Sequence, residues 1–65
     1  MEVGDRVYTI NALTNQVDTW TFNGEILTSK GTYCNLIDGK RSCYLPKQCV
    51  FKRELEAKII RDYYE

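Results

Sequence analysis

Histidine is absent from this chain. That removes the most common general base, the usual activating partner of a catalytic cysteine and the most common metal-ligating side chain. There is also no GxSxG nucleophile elbow, no glycine-rich phosphate-binding loop and no well-spaced carboxylate pair. An enzyme here would have only Asp, Glu, Lys, Tyr and Cys to draw on, so neither catalysis nor a cofactor is expected. No apolar run approaches the length of a bilayer span. The opening "MEVGDRVYTI" starts with an acid and lacks the basic segment and apolar run of a signal peptide, so a cytoplasmic location is expected and a membrane partner is not. Three cysteines cannot form a complete set of disulfides within one chain, which suits a reducing compartment. The formal net charge is zero and offers no general attraction to nucleic acid or anionic lipid.

What the chain does have is an ordinary globular composition, 43% hydrophobic and 28% charged, in 65 residues. That length supports one domain, close to the lower limit for a self-sufficient core, and excludes a large catalytic cleft. The zero net charge is unevenly spread. Residues 1–39 carry Arg6 and Lys30 against Glu2, Asp5, Asp18, Glu25 and Asp38, whereas residues 40–53 carry Lys40, Arg41, Lys47, Lys52 and Arg53 with no acid. From residue 54 onward the acids again exceed the bases.

Periodicity predicts extended segments followed by a helix. "DRVYTI", 5–10, reads as a strand with Val7 and Thr9 on one face and Tyr8 and Ile10 on the other. "NALTNQ", 11–16, is a polar loop. In "VDTWTFNGEILTS", 17–29, Trp20, Phe22, Gly24, Ile26 and Thr28 share one parity. This suits a long strand bent or bulged at Gly24. Asn23-Gly24 is also a two-residue hairpin signal that would set Trp20 opposite Leu27. "SKGT", 29–32, makes a tight turn, and two strands follow around Asp38-Gly39. Pro46 interrupts the ladder, so "LPKQC" suggests a 3₁₀-like turn before a last short strand, "CVFK". From Arg53 the period changes: Leu55, Ile59, Ile60 and Tyr63 recur at helical spacing, with Glu54/Lys58 and Lys58/Asp62 as i,i+4 pairs.

The stretch "TYCNLIDGKRSCYL", 32–45, is nearly symmetric about Asp38-Gly39. If those two residues form the centre of a type I′ turn, Cys34 faces Cys43 and Tyr33 faces Tyr44, with the cysteine Cα atoms roughly 4.5 Å apart. Cys34, Leu36, Cys43 and Leu45 then share one face and read as core. Tyr33, Asn35, Ile37, Lys40, Ser42 and Tyr44 share the other. Free cysteines commonly act as small buried hydrophobes. A zinc site would need a fourth ligand beyond Cys34, Cys43 and Cys49, and the chain has neither His nor a CxxC knuckle. The paired tyrosines either stabilise the hairpin or form an exposed aromatic platform.

Together, "VGDRVY", "WTFNGEI" and "YCNLIDGKRSCYLPKQCVF" resemble, in strand order and turn placement over residues 3–52, the small SH3-like barrels shared by SH3, Tudor and KOW-type domains. "VGDRVY" followed by "GTYCNLIDG" also looks like short proteins of bacteriophage and prophage origin. The resemblance implies a mostly β fold: a small five-stranded SH3-like barrel over 1–52, with a C-terminal amphipathic helix over 53–65 packed on it, in a single domain. The acidic loop and paired aromatics of peptide-binding SH3 domains are missing, and no aromatic cage can be assigned, so neither ligand carries over. What the resemblance implies is a non-enzymatic protein-interaction module, in the phage-type case one that binds and modulates a host protein. The candidate contact residues are Tyr33, Tyr44, Arg41, Lys40 and Trp20. The alternative is a nucleic-acid-binding barrel in which Lys40, Arg41, Lys47, Lys52 and Arg53 meet phosphates. A monomer is expected, with Leu55, Ile59 and Tyr63 plugging an open end of the barrel, in preference to a homodimer through the same stripe.

Overall fold

The computed structural model of the chain describes residues 1–63; the last two residues of the helix expected over 53–65 lie outside the described residues. Four antiparallel strands form one sheet in the order β1-β2-β3-β4, comprising β1 (Arg6–Asn11), β2 (Gln16–Thr28), β3 (Gly31–Asp38) and β4 (Arg41–Pro46). A 3₁₀ turn, Lys47–Cys49, follows Pro46, and the helix α1 spans Glu54–Tyr63. In place of a fifth strand over 49–52 there is one isolated antiparallel bridge, Tyr8↔Phe51. Each residue of that bridge donates its N–H to the other's carbonyl at 2.8 Å, tying the chain after β4 to the outer edge of β1.

The β1–β2 connection is held by its own first residue. Asn11 Oδ1 accepts the N–H groups of Leu13 and Thr14, and the Asn11 carbonyl accepts that of Asn15, which sits in the left-handed region at φ 57°. This is the side chain-to-backbone capture that makes Asn a turn residue. β2 runs unbroken through Asn23-Gly24, so the hairpin reading of that dipeptide is excluded, and Trp20 lies opposite Val7 and not Leu27. A bulge separates the pairs Phe22↔Leu36 and Glu25↔Cys34, with Gly24 at φ 119° supplying the left-handed backbone.

That bulge changes the faces. It adds one residue to β2, so every side chain after it points to the opposite side from the one that continuous alternation predicts. Trp20 and Phe22 share the inner face with the core, whereas Ile26 faces Tyr33 on the outer side and is 44% exposed. The expectation that Ile26 and Thr28 share a face with Phe22 is therefore overturned.

The core is small: Val7, Phe22, Cys34, Leu36 and Val50 are buried together, with Met1, Trp20, Cys43 and Leu45 packed against them. Thr9 is the one buried polar residue among those described, and its hydroxyl accepts the indole N–H of Trp20 at 3.0 Å. The helix rests on β1 and β2, and Ala57 is the residue of α1 that is wholly buried. Leu55, Ile59 and Tyr63, expected to plug a barrel end, are 66%, 58% and 79% exposed. The helix thus meets the sheet through its small residue, and Leu55, Ile59 and Tyr63 lie off that contact. Lys58 pairs with Glu54 at 2.8 Å, as its spacing predicts, but Asp62 accepts from Arg61 and not from Lys58.

Candidate functional site

The symmetric hairpin folds in a different register from the one its symmetry suggests. Asp38 faces Arg41, Leu36 faces Cys43, Asn35 faces Tyr44 and Cys34 faces Leu45. The loop is therefore Gly39-Lys40, with Gly39 at φ 61° and no positive φ at Lys40, the pattern of a type II′ turn with Gly in its first central position. The shift relative to an Asp38-Gly39 turn is an even number of residues on β4, so the faces survive and the pairs do not. Cys34 and Cys43 become diagonal neighbours, at a spacing of roughly 7 Å that no longer suits a disulfide. All three cysteines are free: Cys34 buried, Cys43 half-buried, Cys49 exposed. Burial and the nearby charge of Glu25 raise the Cys34 thiol pKa, and burial raises that of Cys43. Both are held as thiols, the unreactive form. Among the described residues, no three metal-ligating side chains converge.

Tyr33 and Tyr44 are likewise diagonal and not opposed, yet they meet in one feature. On the outer face a concavity of about 420 Å³ is lined by Ile26, Thr28, Ser29, Lys30, Tyr33 and Tyr44. Its walls are mainly apolar, and Tyr44 is 55% exposed. β3 contributes Tyr33, β4 contributes Tyr44, and the inverted second half of β2 brings in Ile26 and Thr28. Sequence reading assigned the tyrosines and missed the β2 residues. The signal was the bulge at Gly24, whose consequence for parity has to be carried through to the end of the strand.

Trp20 and Arg41 belong elsewhere. The Arg41 guanidinium carbon lies 4.8 Å from the Trp20 ring centroid, and the same guanidinium pairs with Asp38, which raises the arginine pKa. Both residues have inner-face parity at the rim of the sheet, so the five expected contact residues divide into two sites, with Lys40 at the hairpin tip.

The basic segment also fails to form one patch. β4 separates Arg41 from Lys47 by roughly 20 Å of extended chain at ~3.4 Å per residue, and Lys40 lies one residue further. Lys47 pairs with Glu25 at 3.1 Å and Arg53 lies 4.0 Å from Glu56. Among the described residues, Lys40 and Lys52 make no ion pair. No helix among the described residues is long and apolar enough to cross a membrane. No family model, curated protein or solved structure matches the chain.

Proposed function

We propose that the chain is a non-enzymatic protein-interaction module on a small SH3-like barrel, which takes its partner in the outer-face groove between Ile26, Tyr33 and Tyr44. Support for the barrel comes from the bend of β2 at Gly24 and from the Tyr8↔Phe51 bridge, which returns the chain to the free edge of β1. The observation that carries the binding reading is the groove itself. It sets an aromatic and an aliphatic side chain, Tyr44 and Ile26, side by side and accessible in one mainly apolar concavity. The phage resemblance favours a host protein as the partner class. A nucleic-acid-binding role is less well supported, because three of the five basic residues are matched to carboxylates and the five are spread along the sheet and beyond it.

The test is affinity capture from a bacterial lysate with the wild-type chain and Tyr44→Ala in parallel. A protein retained by the first and lost by the second supports the reading, while identical captures overturn it. Titration with single- and double-stranded oligonucleotides at low salt addresses the other role, since phosphate contacts are strongest there.

A further inference from the structure

β4 is the outermost strand of the sheet and pairs on one side only. In a hairpin closed by a two-residue loop, the flanking pair is hydrogen-bonded and the pairs alternate from there. Asp38↔Arg41, Leu36↔Cys43 and Cys34↔Leu45 are thus the bonded pairs, and Ser42, Tyr44 and Pro46 occupy the non-bonded ones. Pro46, which has no N–H, fits that assignment. The N–H and C=O groups of Ser42 and Tyr44 therefore point away from β3, and no backbone or side-chain partner meets them within the described chain. The side chain of Tyr44 meanwhile forms one wall of the outer groove.

The unpaired charges around this edge, among the described residues, are of one kind. Lys40 sits beyond one end of β4 and Lys30 lines the groove at the other, and neither makes an ion pair among the described residues. The carboxylates nearby, Asp38 and Glu25, are taken by Arg41 and Lys47. A second copy of the chain is a poor occupant. Antiparallel pairing of β4 with itself would bring together two copies of an edge whose unpaired charges are lysines, with no free carboxylate beside it to meet them.

We propose that β4 accepts an extended polypeptide strand from a partner, hydrogen-bonded to Ser42 and Tyr44, with an apolar side chain in the Ile26–Tyr33–Tyr44 groove and acidic residues at both ends. This deepens the protein-interaction reading and rests on it. Main-chain bonds supply affinity in such strand addition, and alternate side chains supply selectivity.

The probe is the blocked peptide Glu-Thr-Ile-Thr-Ile-Thr-Glu, titrated into the isotope-labelled chain and followed by amide shifts and hydrogen exchange. Its lysine-ended counterpart and two N-methylated forms, one methylated on the isoleucines and one on the threonines, serve as comparisons. The expected result is saturable binding with slowed exchange at Ser42 and Tyr44, and binding about tenfold weaker with lysine ends. Successive amides of a strand point to opposite sides, so one methylated form should lose binding and the other keep it. Equal binding by both methylated forms overturns strand addition, as does unchanged exchange at Ser42 and Tyr44, an absence of saturable binding, or a dimer by sedimentation. If the methylated forms bind equally but Tyr44→Ala abolishes binding, strand addition fails and the groove reading stands. Binding insensitive to both changes overturns both.

Discussion

The guanidinium carbon of Arg41 stands 4.8 Å from the Trp20 ring centroid, joining the end of the β3–β4 hairpin to the first half of β2 across the inner face. Arg41 is held there by Asp38, so the stacked geometry is fixed at both ends. A cation–π contact at an exposed site is a weak one. Arg41→Ala should lower the urea midpoint only slightly but shift Trp20 fluorescence, because the indole loses its covering group. An unchanged emission spectrum would mean that the stack does not persist in solution.

Trp20 has a second attachment with a larger expected effect. Its N–H satisfies the hydroxyl of Thr9, the buried polar side chain of β1. Trp20→Phe removes the donor and leaves a buried acceptor, a cost of about 1–3 kcal/mol. Thr9→Val in the same background removes the orphaned group and should recover part of the loss. A double-mutant cycle by urea denaturation measures the coupling, and strict additivity would contradict it.

Four strands, the loops between them and the helix were legible from alternation and turn chemistry because those signals are local, whereas the last strand expected over 49–52 is only an isolated bridge. "DRVYTI" put Val7 and Thr9 on one face, and that face is the buried one. The relation of one strand to the next was harder to read. Asp38-Gly39 and Gly39-Lys40 each make a chemically acceptable two-residue turn, and tyrosine and cysteine symmetry gives no energetic reason to choose between them. In the observed register Arg41 pairs with Asp38, Leu36 and Leu45 each face a cysteine, and Pro46 occupies a position that needs no donor. The groove was only half visible. Its tyrosines stand out by type, but Ile26 reaches it only through the parity change at the bulge. The helix was recognisable by its period, yet its seat on the sheet depends on Ala57, the smallest apolar residue in it.

The register makes a direct prediction for nuclear Overhauser spectra. Non-hydrogen-bonded antiparallel pairs bring their Cα atoms to ~4.5 Å, close enough for strong Hα–Hα contacts. These are expected for Ile37 with Ser42 and for Asn35 with Tyr44. Contacts between Cys34 and Cys43 or between Leu36 and Arg41 would indicate the Asp38-Gly39 turn instead.

The three cysteines should react in order of accessibility. Cys49 is exposed and should modify first, Cys43 more slowly, and Cys34 only as the chain opens. The pH dependence has a defined sign. Cys34 and Cys43 are raised above 9.0 by burial, with Glu25 adding to the effect at Cys34, so the folded chain holds these protons more tightly than the unfolded one. Their contribution to stability is whole below 9.0 and is lost as pH rises through the raised folded values. Urea midpoints of wild type and Cys34→Ala, measured at neutral pH and at about pH 10, should converge as pH rises. A constant gap would contradict the linkage.

Gly24 connects the backbone to the groove, and its substitution tests both. At φ 119° an L side chain is strained, although a Cβ there would meet no atom within 4 Å, so the penalty belongs to the backbone and not to a clash. Gly24→Ala should cost about 1–3 kcal/mol, whereas Asn23→Ala beside it should stay within about 0.5 kcal/mol. The local consequence follows from parity. If β2 relieves the strain by losing the bulge, Ile26 turns back toward the inner face and the groove loses one wall. Gly24→Ala should therefore shift the side-chain resonances of Tyr33 and Tyr44, which line the groove from β3 and β4 and are untouched by the substitution. Destabilisation without any change at the tyrosines would separate the strain at Gly24 from the shape of the groove.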